Sequence, residues 1–173
     1  PCSFDFRYYK DIYIVKTNLN GVALWQKTHG NEYLEKGTDI VAKESGGYII
    51  AGEKCDHGYN ISSCDNRAKI ILLEIDEDGN SSQETVLNNL YFFEAGSPIS
   101  ITNTSNGGYA FVSKPKNNGY TWFYKWGQNE NSIDLKLENA GYGGESIEMS
   151  KDGGFIIGTS GSTIIKTDQE LNF

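Results

Sequence analysis

Cys55 and Cys64 bracket the polar stretch "CDHGYNISSC", which lies between two apolar runs. Two thiols so close in sequence read as a disulfide staple, worth roughly 2–3 kcal/mol by chain entropy. A staple on an exposed loop belongs in an oxidising compartment. The pair therefore predicts exposed sulfurs and an extracytoplasmic address, secreted or at the cell surface; two unpaired surface thiols are the competing reading. Cys2 reads as a free thiol, a partner in another chain, or the lipid-bearing residue of a bacterial lipoprotein with one residue ahead of it. Asp56, His57 and Asp65 crowd the same loop, but the chain has only 2 histidines and His29 is far away in sequence. No zinc set can be assembled from that spacing.

"DEDGN" (76–80) sets Asp76, Asp78 and Asn80 at the alternating spacing that opens a calcium loop. Such a loop also needs a glutamate at its twelfth position. Residue 87 is Leu, and the sister stretch "NLNG" lacks the acids, so a plain turn is expected. "KESGGYIIAGE" (43–53) and "AGYGGES" (140–146) look like phosphate-cradling glycine loops, yet both lead into strand-like runs. A phosphate site of that kind needs a helix N-terminus. No serine stands in a nucleophile elbow, and in an acidic chain a working carboxylate pair is not recognisable by spacing. The expectation is no enzyme, no cofactor and no metal. Trp122, Phe123, Tyr124 and Trp126 form the densest aromatic cluster. On an open face Trp122, Tyr124 and Trp126 would bind a sugar ring or anchor a protein; packing between neighbouring sheets is the favoured expectation. Asn60, Asn80 and Asn103 sit in N-x-[ST] sequons, which matter only in a eukaryotic secretory protein.

The elements that must position these groups are strands. With 20 Gly, 3 Pro and 11 Tyr among 173 residues, the composition suits a β-rich chain with many tight turns. That length supports a single domain with a substantial core. A net charge of −8 argues against a nucleic-acid partner, whose phosphates would be repelled. Mean hydropathy of −0.49 and the lack of a long apolar run argue against a transmembrane helix. The opening "PCSFDFRYYK" has no apolar signal-peptide core.

Three segments align on diglycines: "DIVAKESGGYIIAG" (39–52), "SITNTSNGGYAFVS" (100–113) and "SIEMSKDGGFIIGT" (146–159). Ile40, Ile101 and Ile147 are equivalent, and an aromatic follows the glycines at Tyr48, Tyr109 and Phe155. Diglycine between two strand-like runs predicts a two-residue hairpin turn with positive φ. A second element recurs as "DIYIVKTNLNG" (11–21), "KIILLEIDEDG" (69–79) and "TIIKTDQELN" (163–172), with Lys16, Glu74 and Lys166 equivalent. "TWFYKWGQN" (121–129) fills the same slot, with Lys125 in the charged place. One unit thus reads as strand, diglycine hairpin, strand, variable loop, strand, Asx-type turn and outer strand. The units run over about 38–88, 98–138 and 145–173, with 10–28 as a partial one. The variable loop shrinks along the series, and its longest copy carries the cysteine pair.

Four-stranded units of this length are what β-propeller blades look like in sequence. "GGYIIAG", "IYIVKTNLNG", "LLEIDEDGN" and "LWQKTHG" resemble the diglycine propeller repeats of secreted and surface proteins, common in Bacteroidota and some archaea. The resemblance covers most of residues 10–173, implies an extracytoplasmic propeller or propeller-like array, and carries over no catalytic residue. About three and a half blades are fewer than the usual closed ring; a longer parent chain, a homodimer completing the ring, or a mixed closing blade would reconcile the count. The expected function is a non-catalytic module recognising a protein or glycan through blade loops. The alternatives are a structural subunit of a homo-oligomeric or filamentous surface assembly, and a fragment of a carbohydrate-active propeller enzyme.

Overall fold

Short apolar runs separated by glycine- and Asx-rich turns fold here as strands throughout. The computed structural model describes residues 10–31, 34–55, 64, 68–87, 99–114, 121–127, 130–138, 143–170 and 172, with the backbone alone for 121, 122 and 130–138. The described residues hold no helix and form four antiparallel sheets. The first sheet pairs β1 (Ile12–Thr17) with β2 (Ala23–His29). The second runs β3 (Leu34–Ala42), β4 (Tyr48–Cys55), β5 (Ala68–Ile75) and β6 (Ser81–Leu87) in sequence order. The third follows the same path through β7 (Ile99–Asn103), β8 (Tyr109–Ser113), β9 (Thr121–Gly127) and β10 (Glu130–Glu138). The fourth comprises β11 (Gly144–Met149), β12 (Phe155–Thr159) and β13 (Ile164–Thr167). Each sheet is a meander, and the strands fall where the repeat places them. In the second sheet the first strand starts at Leu34, ahead of the repeat boundary, and its register shifts between Gly37 and Asp39.

The turns differ from the two-residue loops the diglycines suggest. In 43–47, 104–108 and 150–154 the first residue's carbonyl accepts the amide of the fourth, and its amide donates to the carbonyl of the fifth. This is a type I turn closed by a left-handed residue, the three-residue hairpin loop. The first glycine of each pair supplies that residue, with φ of 91° at Gly46, 80° at Gly107 and 85° at Gly153. The second glycine answers to a different constraint. A Cβ on Gly47, Gly108 or Gly154 would lie 2.2, 2.7 or 2.0 Å from the carbonyl oxygen of Ile75, Trp126 or Thr167, at the end of the neighbouring third strand. The Asx-type turns at 18–22 and 76–80 share the backbone pattern, with Gly21 and Gly79 left-handed. Here a side chain locks the loop: Asn18 Oδ1 accepts the amides of Asn20 and Val22, and Asp168 Oδ1 those of Glu170 and Asn172.

Consecutive sheets stack face to face, enclosing three apolar layers. Ile12 and Ile14 meet Ile50, Ile71 and Leu73 between the first and second sheets. Ile49, Ile70 and Leu72 meet Ile101, Phe111 and Tyr124 between the second and third. Val112 and Phe123 meet Ile147, Phe155 and Ile157 between the third and fourth. Being covered on both faces, β4 and β5 read as continuous apolar runs, while the outer β6 is mostly exposed and polar.

Cys55 and Cys64 are joined by a disulfide, with their Cα atoms 5.9 Å apart. Contrary to the expectation of an exposed pair, the cysteines are buried in the layer between the second and third sheets. Register explains this: Cys55 closes β4 between Leu34 and Ala68, both core residues. Cys2 lies outside the described residues.

Candidate functional site

The first strands of the second, third and fourth sheets, β3, β7 and β11, lie side by side. Their side chains bond across the seams. Thr38 Oγ1 donates to the carbonyl of Ile99 at 2.8 Å, and Asn103 Nδ2 to that of Ala42 at 3.1 Å. Asp39 Oδ2 accepts from Ser100 Oγ at 2.8 Å and from the Ile101 amide at 2.9 Å. Ser100 Oγ in turn accepts the Ile147 amide at 3.3 Å, so one repeat position links three sheets in series. Asp39, Ser100 and Ser146 are the first residues of the three aligned segments. The Ser100 hydroxyl both donates and accepts, and the chain of bonds through it holds the strands at fixed spacing.

Along this seam runs an open groove of about 550 Å³. Asp39, Asn103, Ser146 and Glu148 supply its polar wall, and Ile40 and Ile156 its apolar rim. A second cavity, of about 410 Å³, lies between the first two sheets and is lined by His29, Asn31, Glu35 and Glu84 among others. Glu35 is 3% exposed, and neither of its carboxylate oxygens has a side-chain hydrogen-bond partner among the described residues. Lys54 Nζ stands 3.7 Å from Glu35 and 2.7 Å from Glu84, forming a carboxylate–ammonium–carboxylate row. Burial pushes the Glu35 carboxyl above its ordinary 4.5, and the opposing pull of Lys54 and of the Asn31 amide does not cancel it. His29 Nε2 is likewise buried with no hydrogen-bond partner.

The remaining sequence candidates fall as follows. Tyr124 is fully buried, its ring stacked on Phe111 with centroids 4.5 Å apart. Trp126 is half-buried and stacks on Tyr109 at 5.5 Å. Both pack toward the second sheet; the side chain of Trp122 lies outside the described residues. Asp76 accepts the amides of Asp78 at 3.0 Å and Asn80 at 2.8 Å, and the Asn80 side chain at 3.1 Å. Those bonds, the Asn80 amide foremost, hold its carboxyl below the usual carboxylate range. Asp76, Asp78 and Asn80 therefore form an Asx turn, and no group of metal-ligating side chains occurs among the described residues. Asp56, His57 and Asp65 lie outside them. Asp152 is held far below its ordinary value, chiefly by Lys166 and then by Ser150 and the Gly154 amide.

One role was hidden in plain equivalence. Lys16 Nζ donates to the Glu77 carbonyl at 3.2 Å, and Lys125 Nζ to the Gln169 carbonyl at 2.8 Å. Each is the second residue of the Asx-type turn on the following sheet. Trp25 Nε1 adds a bond to the same Glu77 carbonyl at 2.9 Å. At Lys16 and Lys125 the recurring charged position thus clamps one sheet onto the next, while Glu74 and Lys166 bond Lys43 and Asp152 within their own sheets.

No family model and no curated protein matches the sequence. Among solved structures the chain is similar to a protein of unknown function from Bacteroides caccae, with a TM-score of 0.57 and 9% identity over 96% of this chain. The match covers 53% of that structure, so the chain spans about half its length. A likeness at this identity concerns the fold alone. No helix among the described residues is long and apolar enough to cross a membrane.

Proposed function

We propose that the chain is a non-catalytic, extracytoplasmic binding module, built as a propeller-type array of four-stranded blades, that takes a protein segment in the groove across β3, β7 and β11. The groove carries this reading: three consecutive sheets present their first strands together, with two carboxylates, Asp39 and Glu148, beside an apolar rim. An extended segment with basic and apolar side chains matches that lining. A glycan is the weaker partner because the rings of Tyr124 and Trp126 pack against Phe111 and Tyr109. The meandering sheets with adjacent first strands support the propeller-type arrangement, and the Cys55–Cys64 bond supports the oxidising address. The non-catalytic reading is supported by the structural employment of Asp39, Asp76, Asp152, Lys16 and Lys125. Selection from a displayed peptide library, repeated with Glu148→Lys, tests the site. Basic-apolar peptides that lose about tenfold affinity to the variant are expected; selection of glycans on a polysaccharide panel, with no peptide bound, would overturn it.

A second reading attaches to one observation, the buried Glu35 with its raised pKa in a cavity shared with Glu84. A buried carboxyl with a raised pKa, sharing a cavity with a second carboxyl, is the kind of pair that glycoside hydrolysis draws on. Sugar released from a polysaccharide panel by the wild-type chain but not by Glu35→Gln would establish it; no release would leave Glu35 as a buried structural acid.

A further inference from the structure

The repeat gives each apolar strand position a direction. In the third strands, the residue preceding the equivalent Lys16, Glu74, Lys125 and Lys166 faces the sheet before. Leu73, Tyr124 and Ile165 in that place are 5%, 0% and 7% exposed, whereas Val15 is 43% exposed. The residue one earlier faces the sheet after. Leu72 and Phe123 there are each 1% exposed, but Ile164 is 78% exposed. The second strands repeat the contrast, with Ile49 at 1%, Ala110 at 0% and Ile156 at 44%. Two apolar faces are therefore open at opposite ends of the sheet order. One is on the first sheet, with Tyr13 and Val15; the other is on the fourth, with Ile156 and Ile164. They are complementary in kind. Wherever two sheets meet in this fold, a face of the fourth-sheet type receives a face of the first-sheet type.

We propose that these faces bind each other between chains, so that the first sheet of a second copy of this chain stacks on the fourth sheet and continues the interface found three times within the fold. The register follows from the lysine clamp. Lys16 and Lys125 reach the second residue of the next sheet's Asx-type turn. Lys166, their equivalent on the fourth sheet, has its side chain 46% exposed and bonds Asp152 at 2.8 Å within its own sheet, a bond it would exchange or share on reaching the incoming turn. The matching turn on the incoming copy is 18–22, whose second residue, Leu19, is fully exposed. Burial of the four apolar side chains supplies the driving force. Because the two faces differ, the contact is head-to-tail, and it closes into a ring or grows as its rotation dictates. The proposal rests on the stacked-sheet fold; its fourth-sheet face, Ile156 and Ile164, also borders the groove across β3, β7 and β11.

Sedimentation velocity across low to high micromolar concentration tests it, with Tyr13→Glu and Ile164→Glu as variants at exposed positions. The wild-type chain should associate reversibly, and each variant should weaken association at least about tenfold, since a carboxylate would enter the contact. An equimolar mixture of the two variants should form a dimer and nothing larger, because each chain keeps one working face. A monomer at every concentration would overturn the proposal and assign both faces to further sheets of the same polypeptide. Association indifferent to both substitutions, or a variant mixture that stays monomeric, would overturn it as well.

Discussion

Glu35 shows how one residue's setting fixes its pH response. Its carboxyl titrates higher in the folded chain than its ordinary 4.5. The folded state therefore holds that proton more tightly than the unfolded state, and stability falls as pH rises past the unfolded value. Glu35→Gln should raise the melting temperature at pH 7 to 8, and the gain should vanish below about pH 4, where both states are protonated. A thermal series over pH checks this; a gain independent of pH would point to packing instead. The cysteine pair offers a second residue-scale test. Replacing both Cys55 and Cys64 with Ala should cost about 2–3 kcal/mol in denaturant unfolding under oxidising conditions, and the difference from wild type should shrink when wild type is reduced. The pairing was legible in the sequence because both thiols flank one loop. Their burial was not, because it depends on Leu34 and Ala68 meeting Cys55 in register and on the third sheet closing over them.

At the scale of elements, the diglycine hairpins divide their work between two glycines. Gly107→Ala meets no atom within 4 Å and asks only for a left-handed alanine, a cost of about 1 kcal/mol. Gly154→Ala keeps an ordinary φ but drives a methyl to 2.0 Å from the Thr167 carbonyl, so it should cost more, about 1–3 kcal/mol or above. Urea unfolding of the two single variants checks the ranking, and equal costs would mean that the third strand simply shifts aside. Strand order, the positive φ of the first glycines and the four-strand unit could all be read from apolar runs and turn residues. The length of the turn could not, because a type I turn plus a left-handed glycine uses Glu44 and Ser45, residues with no distinctive turn signature. Nor could the need for the second glycine, which is imposed by the third strand, at Ile75, Trp126 or Thr167.

Across the whole molecule, the chain is a series of meander sheets stacked face to face and tied through their first strands. Asp39→Ala removes the acceptor for both Ser100 and the Ile101 amide, and should cost about 1–3 kcal/mol while leaving the second sheet's own ladder intact. The seam was invisible in sequence because Asp39, Ser100 and Ile147 stand 61 and 47 residues apart and differ in type. The lysine clamps were half visible, as equivalent positions without an evident task. What decides the account is whether consecutive sheets truly share a core. Methyl-labelled nuclear Overhauser spectroscopy on isoleucine and leucine reads this directly. Cross-peaks should connect Ile49, Ile70 and Leu72 of the second sheet with Ile99 and Ile101 of the third, and Ile12 of the first with the Ile71 and Leu73 side of the second. Cross-peaks confined within each sheet, with none joining Ile70 or Leu72 to Ile101, would contradict the stacked array.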